Sequence, residues 1–162
     1  MMSSKLVSKT ALLFICLFVF PFFSAADEEN LMDLDVTISP YRLSRTQEGK
    51  VIIKIDLDDG IAVNAQPSFI IEFTPSEELV FPKNFFTASD LEIEILKENG
   101  FEYLNLDDPL EIPFTVSLEA ERGNHTLEGK IKYFACSKED GWCLKNTTHF
   151  SARFYTRYTT ID

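Results

Sequence analysis

Gly129 to Thr148 reads GKIKYFACSKEDGWCLKNTT: a strand running into a cysteine, a polar turn, and a second cysteine that opens the next strand. Alternation puts Ile131, Tyr133 and Ala135 on one face, and therefore Phe134 and Cys136 on the other. Gly141 lies in the turn and Trp142 abuts the second thiol, Cys143. Cys136 and Cys143 can close a small disulfide across the mouth of a hairpin. Such a bond is either a staple or a reagent.

The same period of two runs outward from this hairpin. Ile53, Ile55 and Leu57 alternate with Lys54 and Asp56, and Phe69, Ile71 and Phe73 follow beyond a turn at Asp58-Asp59-Gly60. Leu91, Ile93 and Ile95 alternate with glutamates, and Leu110, Ile112, Phe114, Val116 and Leu118 give five apolar positions in sequence. Phe150, Ala152, Phe154 and Tyr158 form one face of the last strand. Half-buried strands produce this pattern. Turn signals divide the runs, among them Thr74-Pro75-Ser76, Asn99-Gly100, Asp107-Asp108-Pro109 and Arg122-Gly123-Asn124. The expectation is an all-β chain, an immunoglobulin-like antiparallel β-sandwich of about seven to nine strands.

The N-terminus supplies an address. Lys5 and Lys9 precede an apolar run from Ala11 to Phe23, and Ser24-Ala25-Ala26 offers the small residues of a cleavage site. Residues 1–26 read as a signal peptide, 27–34 as a loose acidic leader and 35–162 as the sandwich. The run is short for a spanning helix and Pro21 interrupts it, which disfavours the alternative of a retained anchor. Cys16 leaves with the signal. Removing Lys5 and Lys9 leaves 13 basic against 26 acidic residues, a net charge of −13. That charge repels phosphate backbones and anionic lipid, so neither nucleic acid nor a lipid surface is an expected partner. The expected location is periplasmic or otherwise exported, where a disulfide persists.

In an ordinary immunoglobulin domain the disulfide joins strands distant in sequence. Here the loop it closes is eight residues long, a constraint of roughly 2.5 kcal/mol on the chain-entropy model. Lys138 and Lys145 favour a thiolate while Glu139 and Asp140 oppose it, so spacing and charge leave the redox and structural readings equally open. A zinc site using Cys136, Cys143, His149 and His125 is the minor alternative, its cysteine spacing longer than usual. Asn124-His125-Thr126 and Asn146-Thr147-Thr148 match the glycosylation sequon, a short pattern that recurs by chance. There is no glycine-rich phosphate loop and no catalytic triad pattern, and no cofactor or metal is expected.

A resemblance bears on the choice. Tyr133-Phe134-Ala135-Cys136, followed by a polar segment ending Gly141-Trp142-Cys143, resembles the N-terminal periplasmic domain of the thiol:disulfide interchange protein family DsbD. Asp59-Gly60 with Asn64 and Pro67, and Leu110-Glu111-Ile112-Pro113, resemble that family's flanking segments. The likeness spans most of Val36 to Tyr158, with an intercysteine segment one residue longer than the commonest spacing.

The resemblance implies a redox-active Cys136–Cys143 pair relaying reducing equivalents from a membrane-embedded donor to exported thioredoxin-like proteins. No transmembrane bundle follows in this sequence, so the donor is expected as a separate polypeptide. The resemblance further implies a capping loop, placed at Lys97-Glu98-Asn99-Gly100-Phe101 with Phe101 or Tyr103 supplying the ring, and a site surrounded by Tyr133 and Trp142. It points to Cys143 as the sulfur that meets the partner. The alternative function is a non-enzymatic immunoglobulin-like binding or assembly module with a structural disulfide.

Overall fold

The computed structural model describes residues 31–157; the expected signal peptide at 1–26, residues 27–30 of the expected leader and Tyr158 lie outside them. Twelve strands follow one another among the described residues, with no helix. They are β1 (Met32–Ser39), β2 (Arg42–Ser44), β3 (Glu48–Leu57), β4 (Ile61–Val63), β5 (Ile70–Phe73) and β6 (Leu79–Val80), then β7 (Phe85–Thr87), β8 (Ile95–Glu98), β9 (Phe101–Leu104), β10 (Leu110–Val116), β11 (Gly123–Ser137) and β12 (Cys143–Arg157). The count exceeds the expected seven to nine because β2, β4, β6 and β7 are only two or three residues long.

Two sheets form the sandwich. One has the order β1-β3-β10-β6; the other runs β2-β12-β11-β5-β7, with β4 also paired to β11. Val51 and Ile53 of β3 and Ile112, Phe114 and Val116 of β10 point inward from the first sheet. They meet Ile71, Leu127, Ile131, Tyr133 and Phe154 from the second in one buried cluster. Each such side chain contributes about 1.5–3 kcal/mol on burial, so the alternating faces are the main favourable term in the fold. The result is an immunoglobulin-like β-sandwich.

Three local readings are corrected. Leu31 and Met32, assigned to the leader, are buried, and Met32–Leu34 belong to β1, paired with Ile55–Leu57 of β3. Apolar side chains opposite a hydrophobic strand join it even when the surrounding sequence is acidic. Leu91 and Ile93 form no strand. The Asp90 carboxylate accepts the Thr87 N–H at 3.0 Å and the Thr87 hydroxyl at 2.9 Å, and these local bonds fold the segment into a turn. Leu118, the fifth apolar position of its run, is 69 % exposed because β10 stops at Val116 and Ser117 Oγ accepts the Glu119 N–H in the next turn.

The longest ladder pairs β11 with β12 from Gly123↔Thr156 to Cys136↔Cys143. A one-residue slip would turn Leu127, Ile131 and Tyr133 out of the core, so this register is firmly fixed. The cysteines therefore meet as a consequence of core packing three to nine residues away along β11.

Candidate functional site

Cys136 and Cys143 stand directly opposite each other and form a disulfide, with Cα atoms 4.1 Å apart. The next pair along, Ser137 and Trp142, is hydrogen-bonded, Ser137 N–H donating to Trp142 O at 2.9 Å. The cysteines thus occupy the non-hydrogen-bonded position, where antiparallel strands bring side chains closest. The turn beyond is tied by Ser137: its carbonyl accepts the Gly141 N–H at 3.0 Å and its hydroxyl the Asp140 N–H at 3.1 Å. Gly141 sits at φ 73°, a conformation that suits glycine.

Cys136 pairs by its backbone with Ala62 of β4. Its side chain faces away from Tyr133 and Ala135, outside the main core, yet it is only 2 % exposed. The covering comes from hairpin β8–β9, whose Asn99-Gly100 turn has both residues at positive φ, the pairing that two-residue hairpins favour. Tyr103 of β9, Ala62 and Cys136 make a second buried cluster, separate from the core. Phe101 stacks on Tyr103, ring centroids 6.2 Å apart, and is itself 52 % exposed. Cys143 is exposed. Cys136 is enclosed; Cys143 meets solvent.

The hairpin is docked at several points. Ala65 N–H donates to Glu102 O at 2.9 Å, and Asn64 forms an isolated bridge with Tyr103. Lys138 Nζ donates to Glu98 Oε2 at 2.9 Å and lies 5.4 Å from the Tyr103 ring centroid. Between hairpin and disulfide lies a cavity of about 70 Å³, lined by Glu98, Phe101, Tyr103, Cys136, Lys138 and Cys143 among others. Small-molecule sites usually occupy about 300–1,000 Å³. The chemistry available here is that of the sulfurs.

Two residues named from the family pattern lie elsewhere. Tyr133 is on the core face of β11, 1 % exposed, its hydroxyl 3.1 Å from Thr148 Oγ1. Burial pushes that hydroxyl above the usual tyrosine range, so it stays protonated as a core hydrogen-bonding group. Trp142 precedes Cys143 by one residue, so its ring turns to the opposite face and packs, partly buried, against the core. Tyr103 packs against Cys136, and Phe101 and Tyr103 line the cavity that both cysteines border.

Ala62 joins the site without having been assigned to it, and Glu98 of the expected capping loop meets Lys138 there as an ion pair. Lys138 carries a signal, since it follows Cys136 by two residues and shares its face; the pairings of Ala62 with Cys136 and of Glu98 with Lys138 are ones that local sequence does not encode. The zinc alternative is not assembled. The two thiols are bonded to each other, and His125 lies eleven residues from Cys136 along one strand, roughly 36 Å at the usual rise. Among the described residues no group of three or more candidate ligands could hold a metal ion.

A larger groove, about 660 Å³, is lined by Glu72, Phe73, Glu128, Gly129, Lys130 and His149 among others. Glu72 there accepts from Lys132 at 2.6 Å and lies 3.3 Å from Lys130. Among the described residues no helix is long and apolar enough to cross a membrane.

The double variant Cys136→Ser, Cys143→Ser is expected to fold with a loss of no more than about 3 kcal/mol in denaturant titration, because the closed loop is small and the main core lies on the other face. Failure to fold would make the bond a staple.

No protein-family model matches the chain, and no curated protein matches it. Solved structures with a similar sandwich include a variant of BcpA, the major pilin subunit of Bacillus cereus, at 15% identity and TM-score 0.44; the match covers 80% of this chain and 41% of the pilin. This chain therefore spans about two fifths of that subunit's length. The seventh ScaB type I cohesin from Pseudobacteroides cellulosolvens is similar at 13% identity and TM-score 0.41, over 78% of this chain and 94% of the cohesin. AggA, the major subunit of aggregative adherence fimbriae type I from Escherichia coli, is similar at 15% identity and TM-score 0.38, over 78% and 95% of the two chains. Likeness at this level describes the sandwich and carries no function.

Proposed function

We propose that this chain is an exported thiol–disulfide relay working through Cys136–Cys143, taking electrons from a separate membrane-embedded redox protein and passing them to exported thioredoxin-like proteins. The observation that carries the reading is the covered disulfide: a bond outside the core, Cys136 enclosed beneath an aromatic hairpin and Cys143 exposed. A staple needs no removable cover. A reagent does, because an open disulfide exchanges with any thiol that reaches it. The sequence resemblance to the DsbD N-terminal domain supports the same conclusion.

The chemistry follows from exposure. A donor thiolate attacks Cys143 Sγ along the S–S axis, the Cys136–Cys143 bond breaks, and Cys136 leaves as thiolate. A second donor thiol then attacks the donor sulfur of the mixed disulfide, freeing Cys143 and leaving the donor oxidised by two electrons. With the acceptor the steps reverse: Cys143 thiolate attacks the acceptor disulfide and Cys136 resolves the mixed disulfide.

A second reading, a non-enzymatic binding or assembly module with a structural bond, is favoured by one feature. Val80 and Phe85, on the short strands β6 and β7 at the ends of the two sheets, are exposed. The reduction potential separates the two. We expect a value above about −300 mV, measured by equilibration with a glutathione or dithiothreitol couple; a value below that belongs to a structural bond.

A further inference from the structure

Lys138 reaches the covering hairpin from the opposite bank. Its own N–H donates to Gly60 O at 2.9 Å, which fixes the residue on the sandwich. Its ammonium is held 2.9 Å from Glu98 Oε2, at the end of β8, and 5.4 Å from the centroid of the Tyr103 ring that helps bury Cys136. Lys138, Glu98, Tyr103 and both cysteines border one cavity. The other ties of the hairpin to the sandwich, from Ala65 to Glu102 and the bridge from Asn64 to Tyr103, lie farther from the Asn99-Gly100 tip.

We propose that Lys138 is a positioning residue, a latch that holds hairpin β8–β9 shut over the Cys136–Cys143 bond through its charge on Glu98 and its cation–π contact with Tyr103. Access to the disulfide is then set by ionic strength and by whatever displaces that ammonium. Both side chains are about half exposed, 44% for Lys138 and 55% for Glu98, so the pair is weak and screened by salt. A tie meant to open for a partner has to be weak. A buried pair would seal the site.

This rests on the reading of the pair as an exchanging disulfide, but the test measures access alone. The intact protein is reduced with a neutral trialkylphosphine, which carries no charge to bias its approach, and free thiol is followed with time. Salt is varied from about 0.01 M to about 1 M, over which the screening length falls from about 30 to about 3 Å. At low salt Lys138→Met should react about fivefold faster than wild type and Glu98→Gln about two- to threefold faster, while Lys138→Arg stays near wild type. The wild-type rate should rise with salt toward that of Lys138→Met, whose own rate stays flat. Lys138→Met matching wild type at both salts, or sharing its salt dependence, overturns the latch. The relay fails separately: a latch on a structural bond gives these rates with a potential below about −300 mV, and a relay without the latch gives the higher potential with rates unmoved.

Discussion

Cys136→Ser, expressed in its own host, is expected to accumulate as a mixed disulfide through Cys143 with an exported thioredoxin-like protein, while Cys143→Ser traps little. The expectation comes from enclosure. Cys136 is 2 % exposed, paired by its backbone between β4 and β12 and covered by Tyr103, whereas Cys143 is exposed. A partner's sulfur can approach Cys143 without dismantling the sheet, and only the resolving thiol is missing in the Cys136→Ser variant. Exchange halts at the mixed disulfide when that second thiol is absent. Non-reducing electrophoresis of both variants, with the trapped band identified by mass spectrometry, is the measurement. Equal trapping would remove the division of roles, and no trapping by either would favour the structural bond.

The second large effect concerns the cover. Tyr103→Ala should speed reduction of the disulfide by dithiothreitol about tenfold, a change of about 1.4 kcal/mol in the barrier and within the range of one lost aromatic packing contact. Tyr103 is 8 % exposed and packs with Cys136 and Ala62; Phe101 lies on Tyr103 and faces solvent. Phe101→Ala should therefore have the smaller effect, by loosening Tyr103. A Tyr103→Ala rate equal to wild type would mean that the hairpin does not guard the bond, and the relay reading would lose the observation that carries it. Circular dichroism of each variant checks that the sandwich persists, as the main core on the other face of β11 predicts.

What could be read without coordinates was whatever depends on neighbours along the chain. Alternation at Ile131, Tyr133 and Ala135 separated the core face from the cysteine face, and Asn99-Gly100 specified a tight hairpin. The disulfide itself was within reach, since a strand–turn–strand of this length brings positions 136 and 143 level. Even the misplacement of Tyr133 and Trp142 was correctable by parity. Tyr133 differs from Cys136 by an odd number of residues, and Trp142 differs from Cys143 by one, so each must face the core.

Tertiary structure alone decided what covers the sulfur. Tyr103 reaches Cys136 through the bridge to Asn64, and Lys138 reaches Glu98 across forty residues; neither pairing leaves a periodic trace in the sequence. Buried Leu31 and Met32 were hidden by acidic neighbours for the same reason, because a strand's partner, and not its own composition, settles whether it pairs. Periodicity encodes which face a side chain takes, since that follows from the pleat. It does not encode which distant segment lies over that face, since that depends on how the sheets stack and where the connecting turns leave each hairpin.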